Sequence, residues 1–296
     1  MSPRPRALLF FAISLALLVL GVYLTFVLPL ASAKNFNGER ALEDVAYQVS
    51  LGPRTSGSQA AGDLLAWLQV ELEAYGWSVE VQEAELLGHP LRNLVARRGA
   101  GDEWLLLGAH YDSRLLADRD PDPANRSLPV PGANDGASGV AVLLELARVL
   151  PQDLDKEIWL VFFDAEDNGD IEGWDWILGS RAFAESLTAN PNAVIIVDMV
   201  GDAALTLPVE GNSDPALVSE IWSTADELGY GDIFLDHTKY HILDDHLPFV
   251  ERGIPAVDII DLDYEYWHTI EDTTDKVSAD SLQAVGDTLL AWLLAD

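Results

Sequence analysis

Cysteine is absent from the 296-residue chain. That excludes disulfides, a thiol nucleophile and thiolate metal ligands. Any metal site must be built from His, Asp and Glu, a donor set that favours zinc or another divalent ion over an iron–sulfur cluster or copper(I). Lysine is almost as scarce, with only Lys34, Lys156, Lys239 and Lys276, and 17 Lys and Arg stand against 49 Asp and Glu for a formal net charge of −32. Such a surface repels phosphate backbones and anionic headgroups, which argues against a nucleic-acid partner, and it attracts metal ions and basic peptides. Internal repeats and low-complexity linkers are missing too, so one large domain is the simplest organisation.

What is plentiful is apolar residues, at 49% of the chain, enough for a sizeable core. Residues 7–30 form a near-continuous apolar run behind Arg4 and Arg6. At 24 residues it exceeds the roughly 20 needed to span a bilayer core and is longer than the usual secretory apolar region. The arginines on its N-terminal side set the tip in the cytoplasm and the rest of the chain on the extracytoplasmic side. Ala31-Ser-Ala33 resembles a cleavage site, which keeps a cleaved signal peptide as the alternative. The expected division is a membrane-spanning signal anchor over 1–33 and a catalytic domain over 34–296.

Within 34–296 the pattern predicts helices near 35–52 and 58–75 and strands at 77–84, 91–98 and 104–109. A long helix follows at 140–150, then a strand at 158–163 and a helix from Ser180. The remainder predicts a strand at 193–197, helices at 215–228 and 244–252, a strand at 256–260 and a closing helix near 278–294. Strands alternate with helices after an antiparallel-looking start. This predicts a three-layer α/β/α domain with a mixed, mostly parallel central sheet.

The strand Ile158-Trp-Leu-Val-Phe-Phe163 runs directly into Asp164-Ala-Glu166-Asp167. Carboxylates at the C-terminal end of a buried strand stand where α/β sheets place their ligands. Other strand ends and helix starts carry His110 and Asp112, Asp135, Asp198 and His268. Each has an ordinary structural use alone: Asp135 could cap a helix and Asp198 could turn the chain. Converging on one sheet edge, they form a zinc-type nitrogen and oxygen site with a position left open for chemistry.

The ordered motifs Gly108-Ala-His110-Tyr-Asp112-Ser, Gly132-Ala-Asn-Asp135-Gly-Ala-Ser-Gly139, Phe163-Asp-Ala-Glu166-Asp167, Val197-Asp198-Met-Val-Gly201 and Trp267-His268-Thr resemble zinc metallopeptidase family M twenty-eight (clan MH). The sequence is most similar to its glutaminyl-peptide cyclotransferase branch, through Leu143-Leu-Glu-Leu-Ala147, a Trp-bearing insert before Gly179-Ser-Arg181, and Asp244-Asp-His-Leu-Pro-Phe249. The resemblance implies that Asp135, Asp167 and His268 hold the main zinc and that Glu166 is the general acid/base. It implies His110 and Asp198 as the further ligands where two zincs bind, one ion serving the cyclases and two the aminopeptidases. Asp244 matches an acid that takes part in cyclase catalysis, and Trp267 and Trp174 would wall the substrate pocket. The family usually has Glu where Asp167 stands, and Asn134-Asp135-Gly is the peptidase form of its motif. The implied activity is conversion of an N-terminal glutamine to pyroglutamate with ammonia release, the alternatives being a zinc aminopeptidase and an inactive ectodomain. Peptide or protein N-termini are the implied partners.

Overall fold

The computed structural model describes residues 35–295. The expected span over 7–30 and the cleavage-like motif at 31–33 lie outside the described residues. Among the described residues, no helix is long and apolar enough to cross a membrane.

Two helices open the fold, α1 (Gly38–Ser50) and α2 (Gln59–Ala74), capped by Asn37 and Ser58, whose side chains accept the backbone N–H groups of Arg40 and Ala61. A hairpin of β1 (Ser78–Leu86) and β2 (His89–Arg98) follows, then β3 (Trp104–His110), α3 (Ala137–Val149), β4 (Glu157–Phe163), α4 (Leu178–Ser186) and β5 (Ala193–Asp198). The chain continues through β6 (Leu207–Glu210), α5 (Pro215–Glu227), β7 (Phe234–Tyr240), a single turn α6 (Leu247–Val250), β8 (Ala256–Ile260) and α7 (Ala279–Leu293).

The central sheet has six strands in the order β1-β2-β4-β3-β5-β8. β1 and β2 run antiparallel to their neighbours, and β4, β3, β5 and β8 are mutually parallel. This is the mixed, mostly parallel sheet that the sequence predicts. The parallel strands are the most apolar, because both of their faces are covered. One face packs on α1, α2, α3, α5 and α7 through Val45, Leu68, Leu143, Ile221 and Leu289. The other packs on α4 and α6 through Phe163, Phe183, Ile196 and Phe249.

β6 and β7 form a separate two-stranded parallel sheet that the sequence pattern does not predict. β6 has four residues, one of them proline, and most of β7 is exposed polar sequence, so neither presents an apolar run.

α3 is buried along its whole length, charged residues included. Glu145 pairs with Arg40, and Arg148 with Asp44. Charges survive in such a place only when paired and hydrogen-bonded.

Candidate metal centre and active site

The C-terminal ends of the parallel strands gather the predicted acids and histidines. His110 ends β3 and Asp198 ends β5. Glu166 and Asp167 lie in the turn after β4, Asp135 lies just before α3, and His268 lies in the loop after β8. All six are buried. The backbone is distorted around them: Ala165 (φ 51°), Met199 (φ 46°) and His268 (φ 56°) occupy the left-handed region without being glycine, a conformation typical of functional sites. The glycines of the Asn134–Gly139 motif have a specific reason. A Cβ on Gly136 would strike the His110 ring, and one on Gly139 the carbonyl of Val197.

Two donor groups result, and they share one residue. His110, Asp135 and Asp198 form the first, and Asp135, Asp167 and His268 the second. His110 Nε2 lies 3.1 Å from Asp135 Oδ1 and 3.1 Å from Asp198 Oδ1. His268 Nε2 lies 2.9 Å from Asp167 Oδ1 and 3.7 Å from Asp135 Oδ2. Asp135 thus turns one oxygen to each group. Glu166 belongs to neither.

Further side chains hold these groups in place. Asp112 accepts the backbone N–H of Glu166 at 3.0 Å and that of Asp167 at 3.3 Å. Asp272 accepts the N–H groups of Asn134 at 2.8 Å and Asp135 at 3.2 Å, and the Tyr264 hydroxyl at 2.7 Å. Arg114 donates to the carbonyls of Asp167 and Gly169, each at 3.0 Å, and to both oxygens of Asp118. Asp118 Oδ1 in turn lies 3.6 Å from His268 Nδ1. The loop beyond is tied down as well, since Arg119 donates its N–H to the carbonyl of His268 and Ile270 donates to Asp120. Of these residues, the sequence pattern singles out only Asp112.

A cavity of about 240 Å³ opens on the donor groups, lined by Glu166, Asp244, Trp176, Trp267, Met199 and Ile242 among others. Trp267, expected on the wall, is there. Trp174 is not: its ring stacks on His89 at 3.5 Å and packs against the buried cluster of Leu91, Ala165, Leu178 and Ala182. The structure instead brings Trp176 of the same loop to the cavity, with Arg114 over its ring at 5.0 Å. Asp164 turns away too and accepts the N–H of Arg92 at 3.0 Å.

The residues present fit a metal ion. Asp135 Oδ2, Asp167 Oδ2, His110 Nδ1 and both nitrogens of His268 are buried without a hydrogen-bond partner. The short distance from His268 Nε2 to Asp167 Oδ1 therefore lacks the alignment of a hydrogen bond, so these atoms share a locality rather than satisfy each other. The protonation pattern fits as well. Burial pushes Asp167 up to about 6 and Asp198 up to about 7, and it holds Glu166 well above the usual carboxylate range. His268 is raised to about 9, burial being outweighed by Asp167 and Asp118. An acid-rich buried site that must retain protons is one in which a divalent cation can replace them. Nitrogen and oxygen donors without sulfur suit zinc.

The sequence pattern of Peptidase family M28 matches residues 93–293. The chain belongs to this family. Within the M28 family it is 32% identical over 201 residues to Aminopeptidase YwaD of Bacillus subtilis (strain 168), a match covering 62% of this chain and 39% of that protein. It spans well under half the length of that relative. Its fold matches a Zn-dependent exopeptidase from Parabacteroides distasonis with a TM-score of 0.83 and 34% identity, over 89% of this chain and 100% of the other. It likewise matches glutaminyl cyclase of Bacteroides thetaiotaomicron bound to N-acetylhistamine, with a TM-score of 0.84 and 33% identity, over 89% of this chain and 99% of the other.

Proposed function

We propose that the chain is a zinc-dependent enzyme acting on peptide N-termini, and that its reaction is glutaminyl-peptide cyclisation. The observation that carries this choice is Asp244. It lines the same cavity as Glu166, it comes from a different loop, and it belongs to neither donor group. Hydrolysis needs one base for its water. Cyclisation must also steady an amide nitrogen as it becomes ammonia, and a second free carboxylate suits that task.

Asp135, Asp167 and His268 would hold the main zinc, with His110 and Asp198 completing a second position around Asp135. When bound, zinc supplies a Lewis acid that polarises the substrate's carbonyl oxygen. The side chains do the rest. Trp176 and Trp267 wall the cavity and keep the glutamine side chain folded back towards its own α-amine. Glu166 takes a proton from that amine, whose nitrogen bonds to the γ-carbonyl carbon. The bond from that carbon to the amide nitrogen breaks, and Glu166 passes its proton to the leaving ammonia while Asp244 holds the nitrogen. Burial raises the Glu166 carboxyl towards the range where a group both accepts and returns a proton. Because attack is intramolecular, holding the substrate bent supplies much of the acceleration.

The second reading, a zinc aminopeptidase, is favoured by one feature, the completeness of both donor groups around Asp135. That suits two ions, whereas the cyclase reading needs one. Glu166 would then deprotonate the attacking water. Paired assays decide: a Gln-terminated peptide should lose ammonia without taking up water, and free leucine released from a Leu-terminated peptide would overturn the cyclase reading.

We further propose that residues 1–33 anchor the catalytic domain, 34–296, to a membrane on its extracytoplasmic side. The support is the apolar run over 7–30 behind Arg4 and Arg6. Protease added outside intact cells should digest the domain, and recovery of the full-length chain in the soluble fraction would sink the proposal.

A further inference from the structure

Arg54 lies in the loop between α1 and α2, well before any donor residue in the chain. Its side chain is fully buried, and among the described residues no carboxylate pairs with it. Burying a guanidinium on those terms is costly, and an apolar side chain would fill the same space more cheaply. Its N–H groups show what it does there. All three guanidinium nitrogens donate to main-chain carbonyls: Nε to Tyr111 at 3.3 Å, Nη1 to Pro131 at 2.7 Å, and Nη2 to Gly132. Tyr111 directly follows His110, and Pro131 and Gly132 lead into Asp135. The fork therefore joins the two segments that deliver His110 and Asp135, two of the three donors of the first group, and Asp135 also serves the second.

The backbone around Arg54 continues the clasp. Its N–H donates to Ser113 Oγ at 3.0 Å, its carbonyl accepts the Ser113 N–H at 3.3 Å, and Ser113 Oγ donates to the Val130 carbonyl at 3.0 Å. Gly132 is shaped to the contact: its φ is +72°, and a Cβ there would come within 2.7 Å of both Arg54 Nη2 and Ser113 Cβ. The Gly132 carbonyl also accepts the N–H of Ala137 at 3.3 Å, at the start of α3. Asp135 is thus held from two sides, since Asp272 accepts its N–H and Arg54 takes the carbonyls before it. Burial lowers the guanidinium to about 10, against the pull of the Asp272, Asp112 and Asp135 carboxylates, so it is still charged at neutral pH. Arg98 offers a comparison. It too is buried, forms no ion pair among the described residues, and donates to three carbonyls, those of Tyr75 at 3.2 Å, Ala147 at 3.4 Å and Leu150 at 2.8 Å. But it ends β2 opposite Ile158, at the end of the sheet away from the donor groups.

We infer that Arg54 is a positioning residue for the metal centre: its guanidinium fork fixes the 130–132 segment against the residue that follows β3, and so sets Asp135 relative to His110. The inference rests on the zinc reading of the site. Three carbonyls from two segments need a planar fork of donors, and the single nitrogen of a lysine cannot span them.

The test compares Arg54→Lys and Arg54→Met with Arg98→Met in the full chain. Chelator competition measures zinc affinity, and the visible spectrum of the cobalt(II)-loaded protein reports the ligand geometry. Both Arg54 variants should lose at least tenfold in zinc affinity, the usual cost of removing a group that orients a ligand, and should shift the cobalt(II) bands. Arg98→Met should lower the melting temperature and leave affinity and spectrum unchanged. Wild-type zinc affinity in Arg54→Lys would show that charge alone suffices and overturn the inference, and so would an equal loss in Arg98→Met. Arg54→Lys keeps the charge and most of the volume, so it decides the matter where the Met chain does not fold. Hydrogen exchange on the metal-free chain separates the inference from the zinc reading. The N–H groups of Val130, Asn134, Asp135 and Ala137 are all hydrogen-bonded, and the Arg54 variants should lose protection over 130–137 while Arg98→Met retains it. If the wild type binds no zinc, the zinc reading fails on that measurement alone. Lost protection over 130–137 then still upholds the clasp, and unchanged protection overturns it.

Discussion

The carboxylate of Asp112 sits beneath the backbone of Glu166, accepting its N–H at 3.0 Å. With its other oxygen it accepts the N–H of Asp167, so one side chain sets the direction of both the acid proposed to move protons and the neighbour proposed to bind metal. Replacing Asp112 with Ala should weaken zinc binding and turnover together, each by roughly 10–100-fold, the usual cost of losing a group that orients a ligand. Chelator competition and kcat measure the two effects. An Asp112→Ala chain with wild-type zinc affinity would show that the turn holds itself.

Glu166 lies outside both donor groups, so its loss should separate chemistry from metal. Glu166→Gln keeps the shape but cannot carry the proton. The expectation is full zinc content with turnover reduced by at least 10²-fold, within the usual range for general acid–base groups. Retained activity would overturn the assignment of the whole site.

The two tryptophans of the insert should behave oppositely. Trp176→Ala removes a cavity wall and should raise KM several-fold. Trp174→Ala removes the ring stacked on His89 and should lower the melting temperature with KM unchanged. Kinetics beside a thermal melt distinguishes them, and a KM effect at Trp174 alone would return that residue to the substrate.

Metal uptake should release protons. Metal-free His268 is raised to about 9, so it is charged at pH 7, and a ligand must be neutral. Zinc binding in weak buffer should therefore acidify the solution, and affinity should climb with pH until about 9. The sign for stability is the reverse. A histidine raised on folding stabilises the metal-free chain most below its unfolded value of about 6.5, and that contribution fades as pH rises through about 9. Calorimetry in buffers of different ionisation enthalpy counts the protons, and a count of zero would contradict the charge state.

Behind the site, the pairing of Asp44 with Arg148 should be worth more when broken than when replaced. Asp44→Ala removes one carboxylate from a guanidinium that keeps Glu145 and Glu71 and should cost about 1.5–3 kcal/mol, the usual worth of a hydrogen bond to a charged group. Denaturant unfolding measures it, and a loss under about 1 kcal/mol would place that cluster among weak surface pairs.

Much of this molecule was legible in its sequence, for identifiable reasons. The parallel strands read clearly because burial on both faces makes them continuously apolar, and His110, Asp198 and Glu166 read clearly because they follow such runs. β7 was hidden because its side chains face solvent. Arg114, Asp118 and Asp272 were hidden because their contacts with Asp167, His268 and Asp135 are made by folded loops, where spacing carries no direction. Trp174 and Trp176 differ by two positions in one loop, and only the fold decides which ring turns inward.

Asp135 gives one oxygen to each donor group, and this leaves the centre unevenly exposed to damage. A change at His110 or Asp198 spoils one group and spares the other, and so does a change at Asp167 or His268. A change at Asp135 disables both at a stroke. Anyone wishing to test the two donor groups separately should therefore edit the flanks and leave the keystone in place.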